Sequence, residues 1–299
     1  MDCSCGKPAV FFRAYEGRHY CKECFCTSIE KKVKRTIREG MMIRPEDRIG
    51  VGLSGGKDSC TVLSIVSAIA KPMNVDVVAI SIDEGISGYR PESLQKARKV
   101  CKKLGVTHKI YSYKKVFGAS LDEKLQQAGR EHSCSYCGTA RRYLLNKAAR
   151  ELGVNKLCTG HNLDDEAQSA LMNLMRGDLV RASRADTAEA ADDAFVVRIK
   201  PLKDIPEREI ALYALLKGLD VDFNECPYAA GLRFEVRDFL NASEQKHPGM
   251  KFSLVESFQR LGPALKTTVS GGPGLKKCQT CGEPTSETIC KTCQLWKEK

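Results

Sequence analysis

Residues 49–59, IGVGLSGGKDS, place a glycine turn and a polar helix start directly after an apolar stretch. The run IGVGL is typical of a buried strand, and CTVLSIVSAIA after the turn is typical of a buried helix. Such a junction points free backbone N–H groups and the positive end of the helix dipole at a bound anion. The residues predicted to form this phosphate site are Ser54, Gly55, Gly56, Lys57, Asp58 and Ser59.

The spacing of this loop excludes two common nucleotide-binding turns. It does not fit the longer GxxxxGK[ST] loop, and it lacks the GxGxxG turn of dinucleotide-binding proteins. SGGKDS instead resembles the pyrophosphate loop of the PP-loop (adenine nucleotide α-hydrolase-like) ATPases. Proteins of that superfamily cleave ATP between its α- and β-phosphates and adenylate a substrate oxygen. The alternative is an ordinary Ser/Gly turn before a helix.

Fifteen cysteines, most of them in close pairs, indicate bound metal rather than disulfides in a reducing compartment. Near the C-terminus, CQTCGEPTSETICKTC contains two CxxC pairs joined by a short loop, with no apolar core of its own. This spacing is typical of structural zinc sites. The predicted ligands are Cys278, Cys281, Cys290 and Cys293.

A second zinc site is predicted in residues 1–26, which hold five cysteines. The first pair is CxC rather than CxxC, so the spacing defines the ligands less sharply. Cys26 or His19 is an alternative for one position. The predicted ligands are Cys3, Cys5, Cys21 and Cys24.

Three further cysteines, Cys134, Cys137 and Cys226, flank loops predicted at the same sheet edge as SGGKDS. Three thiolates can hold a cubane iron–sulfur cluster and leave one corner open to an external ligand. The cysteines expected to be small buried side chains, because they fall inside helix or strand patterns, are Cys60, Cys101 and Cys158.

The elements that position these residues alternate between strand and helix. VDVVAISID (75–83) and VTHKIYSY (106–113) predict buried strands, and RPESLQKARKVCKKLG between them predicts an amphipathic helix. This alternation indicates a parallel α/β sheet, in which ligands bind beyond the carboxyl ends of the strands. We therefore expect backbone groups near Ile80, towards the end of the second strand, to contact adenine.

Two later segments are also predicted to lie at the carboxyl ends of the strands. The helix after EHSCSYCG is predicted to begin near Thr139, which leaves Cys134 and Cys137 in the preceding turn. A short strand at 156–159 runs into GHNLDDEAQ, where Asp164 and Asp165 open another helix. We predict that these carboxylates hold Mg²⁺ or orient substrate, with simple helix capping as the alternative.

The chain is basic, with a formal charge of +11 that two four-thiolate zinc sites would lower to about +7. This excess favours a polyanionic partner. Residues 27–40 predict a helix whose basic side chains suit an RNA backbone, although such a face is also typical of a solvated surface. Its basic residues are Lys31, Lys32, Lys34, Arg35 and Arg38. Arg176, Arg181 and Arg184 lie in a polar stretch predicted to be a loop over the site.

The predicted domains are an N-terminal zinc module (1–26), a basic linker helix (27–46), a PP-loop catalytic domain (47–231), a helical basic segment with a linker (232–270) and a C-terminal zinc ribbon (271–299). No apolar run reaches the ~20 residues that a membrane span requires, and the first residues do not resemble a signal peptide. We therefore expect a cytoplasmic protein without membrane contact.

Taken together, SGGKDS, CxxCG ahead of RRYLL, GHNLDDEAQ, ECPY and the paired cysteines at both termini resemble the TtuA/Ncs family of tRNA 2-thiouridine synthetases. The similarity covers essentially the whole chain; only the CxC at the N-terminus departs from the CxxC common in the family. Members adenylate the C2 oxygen of a tRNA uridine and replace it with sulfur, using an oxygen-sensitive cluster on three cysteines.

The resemblance implies that Cys134, Cys137 and Cys226 ligate a 4Fe-4S or 3Fe-4S cluster and act in catalysis with Asp164 and Asp165. It also implies two Zn²⁺, a homodimer, and sulfur supplied by a ubiquitin-like carrier or free sulfide. The residues implied to bind ATP and Mg²⁺ are 54–59, Ile80, Arg141, Gly160 and Asp165.

Two other functions remain open from the sequence. One is a PP-loop adenylating enzyme that uses Cys134 and Cys137 as a redox or persulfide pair without a cluster. The other is a non-catalytic, zinc-knuckle RNA-binding scaffold, which the intact SGGKDS loop disfavours.

Overall fold

The computed structural model describes residues 1–183, 195–268 and 275–297. Its N-terminal part is an antiparallel hairpin of β1 (Phe11–Arg13) and β2 (Arg18–Tyr20), followed by the long helix α1 (Lys22–Glu39). Apolar side chains four residues apart give α1 one buried face. They are Phe25, Ile29, Val33 and Ile37.

The centre of the molecule is a five-stranded sheet in which all neighbouring strands are parallel. Its strands are β3 (Arg48–Gly52), β4 (Asp76–Asp83), β5 (Thr107–Ser112), β6 (Lys156–Cys158) and β7 (Val197–Ile199). The spatial order is β5-β4-β3-β6-β7, so the chain order reverses between β3 and β6. A ligand crevice is expected beyond the carboxyl ends of these two strands.

Helices cover both faces of the sheet, and two separate apolar clusters form the core on either side. They are α2 (Lys57–Ala70), α3 (Arg90–Leu104), α4 (Tyr113–Phe117), α5 (Leu121–Ala128), α6 (Ser133–Glu151), α7 (Leu163–Met175), α8 (Leu179–Ser183) and α9 (Glu207–Leu216). Because α2 follows β3 and α7 follows β6, both helices begin at the crevice. The predicted parallel α/β fold is confirmed.

Two C-terminal units pack on this core. The helices α10 (Leu232–Lys246) and α11 (Met250–Thr268) lie against α7. A small hairpin, β8 (Lys276–Lys277) with β9 (Pro284–Thr285), precedes α12 (Lys291–Trp296). The terminal residue of α12, Trp296, is buried and donates from Nε1 to the Tyr136 carbonyl of α6 at 3.1 Å. The C-terminal unit therefore supports the helix that carries Cys134 and Cys137.

Two predicted helix starts were wrong. The helix α6 begins at Ser133 rather than near Thr139, so Cys134 and Cys137 lie in helical turns and not in a loop. Tertiary contacts, such as the Tyr113 hydroxyl donating to the Cys137 carbonyl at 2.7 Å, override the weak local helix propensity of SCSYCG. The basic helix α1 begins at Lys22 rather than at residue 27, because the Cys21 sulfur caps it by accepting the Cys24 N–H.

The predicted polar loop after α7 is partly helical, since Arg181 lies in α8. Arg184 and most of the predicted linker before the C-terminal unit lie outside the described residues. Within the part of the chain that the structure describes, no helix is both long and apolar enough to span a membrane.

Candidate active site

The SGGKDS loop joins β3 to α2 and is held closed by Ser59. The Ser59 hydroxyl oxygen accepts the backbone N–H of Ser54 at 3.1 Å and that of Gly55 at 3.3 Å, and it donates to the Gly56 carbonyl at 3.0 Å. Gly56 is the N-cap of α2 and has no side chain to satisfy the first N–H groups of the helix. The loop therefore presents an anion-binding helix start to the crevice.

Two glycines allow the close packing around this loop. Gly55 has a φ of +95°, and a Cβ there would lie 2.0 Å from the Ser93 carbonyl oxygen of α3. Gly160 follows β6, and a Cβ there would lie 3.0 Å from the Asp58 carbonyl carbon. Gly160 thus lets the segment before α7 contact the first turn of α2. Its predicted role in ATP binding stays a prediction.

Asp58 is half-buried and held from two sides. Asn162 donates from Nδ2 to its Oδ1 at 3.1 Å, and Lys57 Nζ lies 3.1 Å from its Oδ2. Lys57 also pairs with Glu207 at 2.7 Å. Burial raises the pKa of Asp58, while the Lys57 ammonium opposes that rise. Neither Asn162 nor Glu207 was predicted from the sequence, although an asparagine three residues before Asp165 is a capping-box pattern.

Asp165 forms that capping box. Its Oδ2 accepts the Asn162 N–H at 3.2 Å, the Asn162 Oδ1 accepts the Asp165 N–H at 3.1 Å, and Arg233 of α10 lies 3.2 Å from Oδ1. Burial raises the pKa of Asp165. The capping alternative therefore describes its geometry, and its predicted Mg²⁺ and ATP contacts stay predictions.

Asp164 contacts the helices α9 and α11. It is buried, its Oδ2 accepts the Glu207 N–H at 2.7 Å, and its Oδ1 forms an ion pair with the buried Lys251 of α11. These contacts join α7 to α9 and α11. They favour a structural role for Asp164 over the predicted catalytic one.

The three cysteines predicted to ligate a cluster lie on two elements that contact each other. Cys134 and Cys137 are three residues apart in α6, on one helix face, and Cys226 lies in the segment before α10. Ser133 donates from Oγ to the Tyr228 carbonyl at 3.2 Å, which holds this segment against α6. Burial raises the pKa of the Cys137 and Cys226 thiols. The charge of Cys226 also raises the pKa of Cys137, and the charge of Cys134 raises the pKa of Cys226.

This donor set fits a three-ligand cluster. Cys134 is exposed, and Cys137 and Cys226 are partly so. Among the described residues, their sulfurs do not all lie within 4.8 Å of one another, unlike those of the two terminal cysteine sets. They therefore do not converge as the ligands of one zinc ion do, and the cluster ligation stays a prediction. The cysteines packed instead into the core on the other side of the sheet are Cys26, Cys60, Cys101 and Cys158.

The segment that carries Cys226 also contacts the SGGKDS loop. The Asp222 N–H donates to the Gly55 carbonyl at 2.9 Å, and Asp222 pairs with Gly56 in an isolated parallel bridge. Only a few residues further on, the same segment reaches α6 through Tyr228. The structure therefore connects the predicted ATP loop directly to the predicted cluster cysteines.

Arg141, one turn after Cys137, has anionic neighbours. Desolvation lowers the pKa of Arg141, but several nearby groups, Cys137 and Glu84 first among them, together raise it overall. Glu84 is buried immediately after β4 and was missed from the sequence. Its position directly after a buried strand, at the edge where ligands bind, is a signal that could have found it.

Ile80 lies deeper in the sheet than an adenine-contacting residue is expected to lie. Its side chain is fully buried, and its carbonyl accepts the Leu53 N–H at 2.8 Å. This carbonyl is already used by the strand pairing. The predicted contact with adenine stays a prediction.

Both terminal cysteine sets converge, and in each the four sulfurs lie within 4.8 Å of one another. The sulfurs of Cys5 and Cys21 are 3.6 Å apart, as are those of Cys281 and Cys290. Four sulfurs at ~2.3 Å from a tetrahedral zinc ion would be ~3.8 Å apart, so the residues fit that metal. The converging residues are Cys3, Cys5, Cys21 and Cys24 in one set, and Cys278, Cys281, Cys290 and Cys293 in the other.

The alternatives for the N-terminal set lie elsewhere. Cys26 is buried on the core side of α1, and the ring of His19 packs on Phe12 with 4.6 Å between centroids.

The basic side chains of α1 are not equally free. Lys32 forms an ion pair with Glu16 at 2.7 Å. Lys32 is therefore less available to RNA than the exposed Lys31.

The chain is similar to known proteins, and these similarities give first its class and then its family. A PP-loop domain matches residues 26–242, so the chain is a PP-loop protein. The tRNA 2-thiolation protein NcsA of Haloferax volcanii is 38% identical, over 99% of this chain and 98% of that protein. The cytoplasmic tRNA 2-thiolation protein 1 of Xenopus laevis is 35% identical, over 96% of this chain and 84% of that protein.

A solved structure shows the same architecture. The U34-tRNA thiolase NcsA from Methanococcus maripaludis, with its 4Fe-4S cluster, matches 99% of this chain and 95% of that chain. The TM-score is 0.85 and the sequence identity is 34%. The chain therefore belongs to the NcsA-type tRNA 2-thiolation family, which confirms the family that the sequence predicted.

Proposed function

We propose that this protein is an ATP-dependent tRNA 2-thiouridine synthetase, which adenylates the C2 oxygen of a tRNA uridine and replaces that oxygen with sulfur. One observation carries the proposal: the segment 222–228 is bonded to the SGGKDS loop through Asp222 and Gly55 and to α6 through Tyr228 and Ser133. Adenylation and sulfur insertion need both sites at one uridine, and this segment keeps them adjacent. The activities named for the similar proteins support the same reaction.

The chain's own residues supply the adenylation step. The α2 start and the Gly55–Gly56 backbone bind phosphate oxygens, and Asp58 with Asp165 supplies carboxylates for Mg²⁺. Attack of the uridine O2 on the α-phosphate releases pyrophosphate. The resulting AMP ester makes the former carbonyl oxygen a far better leaving group than oxide.

Sulfur insertion is assigned to the cysteine side of the crevice. Cys134, Cys137 and Cys226 would hold a three-ligand iron–sulfur cluster, which when bound supplies an open position for sulfur delivery. Tyr113 fixes the cysteine helix by donating to the Cys137 carbonyl. Arg141 would balance negative charge on the cysteine side, since Cys137 and Cys226 are among the groups that raise its pKa.

The remaining assignments extend the proposal. Two Zn²⁺ ions would complete the terminal cysteine sets, and the exposed basic face of α1 would contact tRNA phosphates. A cytoplasmic location is supported by the name of the similar Xenopus protein. The sulfur donor, either a ubiquitin-like carrier or free sulfide, and the homodimer stay predictions.

The test is an anaerobic assay with purified protein, tRNA, ATP, Mg²⁺ and sulfide. We expect 2-thiouridine in the digested tRNA by mass spectrometry, with AMP and pyrophosphate as products. A brown protein with broad visible absorbance is expected after reconstitution with iron and sulfide. Absence of 2-thiouridine from reconstituted protein with several different tRNAs would overturn the proposal.

A further inference from the structure

Beside the SGGKDS loop, two buried residues form an ion pair that no sequence motif indicated. Arg90, the first residue of α3, is 3% exposed, and Glu84, just after β4, is 5% exposed. Arg90 Nε lies 2.8 Å from Glu84 Oε2. Two charges removed from water to this extent are costly unless their positions are fixed by further partners.

Those further partners of Arg90 are two backbone carbonyls and one hydroxyl at the crevice. Its Nη1 donates to the Ser54 carbonyl at 2.8 Å and to Ser93 Oγ at 3.2 Å, and its Nη2 donates to the Ile82 carbonyl. One guanidinium therefore bridges the end of β4 and the first residue of the SGGKDS loop. A planar fork of donors can do this, and a lysine ammonium cannot reproduce it.

The bond to Ser54 determines where the next N–H points. Because a trans peptide is planar, its C=O and N–H point in opposite directions. With the Ser54 carbonyl turned towards Arg90, the Gly55 N–H is turned into the loop, where Ser59 Oγ now accepts it at 3.3 Å. An entering phosphate oxygen would meet this N–H in the orientation required for a hydrogen bond.

Glu84 has neighbours on the cysteine side as well. The charge of Glu84 raises the pKa of Cys137, of Cys226 and of Arg141. The carbonyl of Glu84 accepts the Leu121 N–H at 2.7 Å, which fixes the residue against α5. Glu84 therefore stands between the guanidinium that holds the loop and the site of the three cysteines.

We propose that Glu84 and Arg90 are positioning residues of the ATP site: the Glu84 carboxylate holds the Arg90 guanidinium, which in turn orients the Ser54–Gly55 peptide for the nucleotide phosphates. This assignment deepens the proposed function and rests on it for the identity of the nucleotide. Neither residue is assigned contact with ATP.

The experiment compares Arg90→Lys, Glu84→Gln and the double variant Arg90→Met/Glu84→Gln with wild-type protein and with Lys102→Met. Lys102 is an exposed lysine on α3 and serves as the matched control. For each protein, the Kd for ATP is measured by calorimetry, the KM and kcat by pyrophosphate release with tRNA, and the thermal midpoint by circular dichroism.

Both single variants should raise the Kd and KM for ATP by about ten-fold, because ATP binding would then have to orient the Ser54–Gly55 peptide, with a smaller change in kcat. The double variant removes both buried charges. It should have the thermal midpoint of the wild-type protein, while its Kd for ATP stays raised. The control should match wild type in every measurement.

A double variant that recovers both the midpoint and the Kd for ATP would overturn the proposal, since the pair would then serve stability alone. Single variants with wild-type Kd and KM would overturn it too. Failure of the proposed function is distinguishable from failure of this proposal. Wild-type protein would then bind ATP without producing 2-thiouridine, and the effect of the variants on the Kd for ATP would still be measured.

Discussion

Asn162 donates from Nδ2 to Asp58 Oδ1 at 3.1 Å, and this bond joins the two loops that follow β3 and β6. The same asparagine caps α7 and accepts the Asp165 N–H through its Oδ1. One side chain therefore sets the spacing between the two carboxylates that are proposed to hold Mg²⁺. The reversal of chain order between β3 and β6 makes this contact possible.

Asp58→Ala should abolish both pyrophosphate release and tRNA thiolation, because it removes a carboxylate at the helix start that is proposed to bind phosphate. Circular dichroism should show an intact fold. Asp76→Ala is the control, since Asp76 begins β4 at the opposite end of the sheet and its side chain is largely exposed. Thiolation at the wild-type rate in Asp58→Ala would remove the loop from the mechanism.

The parallel sheet and the SGGKDS junction could be predicted from the sequence because both depend on local patterns. Buried strands read as apolar runs, and the glycine turn lies within a few residues of its helix. The partners of Asp164 could not be predicted in this way, since Lys251 is remote in sequence and meets it only after α11 packs on α7.

The start of α6 shows a second limit. SCSYCG has no strong helical pattern, and the contacts that make it helical come from Tyr113 and Tyr228, on separate elements. Glu84 and Arg90 were missed for a similar reason. Their pairing depends on the sharp connection from β4 to α3, which no spacing rule describes.

Cys281→Ser should release about one zinc ion per chain, because the metal supplies most of the folding free energy of such a small unit. Trp296 belongs to that unit and packs on Tyr113, with 5.0 Å between ring centroids, so its fluorescence should change with the metal content. Zinc is counted by mass spectrometry of metals. Cys101→Ala, a buried cysteine in the core, should keep the zinc, and unchanged zinc in Cys281→Ser would contradict the four-cysteine site.

The exposed side chains of α1 should contribute to tRNA affinity through phosphates. Replacing Lys31, Lys34 and Arg35 together with alanine should weaken binding to all tRNAs similarly and lower the salt dependence by roughly one unit of slope per lost contact. Lys32→Ala should affect stability more than binding, because Lys32 pairs with Glu16. Binding is measured by filter retention at several salt concentrations, and a loss confined to one tRNA would contradict backbone contact.

Lys251→Met should destabilise the protein by about 3–5 kcal/mol, because it leaves the buried Asp164 carboxylate without its cation. The double variant Asp164→Asn/Lys251→Met should recover most of the free energy of unfolding, measured in urea. If Asp164 is structural, the double variant also recovers thiolation. A stable double variant without activity would instead assign Asp164 to catalysis.

The decisive comparison for sulfur insertion is Cys226→Ala against Cys134→Ala, both reconstituted anaerobically with iron and sulfide. If the three cysteines hold one cluster, each variant should lose iron, the brown absorbance and thiolation together, because two thiolates seldom retain a cubane. Pyrophosphate release with tRNA should persist in both, since it depends on the SGGKDS loop and Asp165. Iron is measured by colorimetric assay, and thiouridine by mass spectrometry.

A persulfide pair formed by Cys134 and Cys137 gives a different result. Cys226 would then be dispensable, and activity would tolerate iron chelation. The segment of Cys226 is bonded both to the ATP loop and to α6, as the cluster hypothesis requires. A colourless Cys226→Ala protein that still thiolates tRNA would eliminate the cluster, and equal loss of iron and activity in both variants would eliminate the pair.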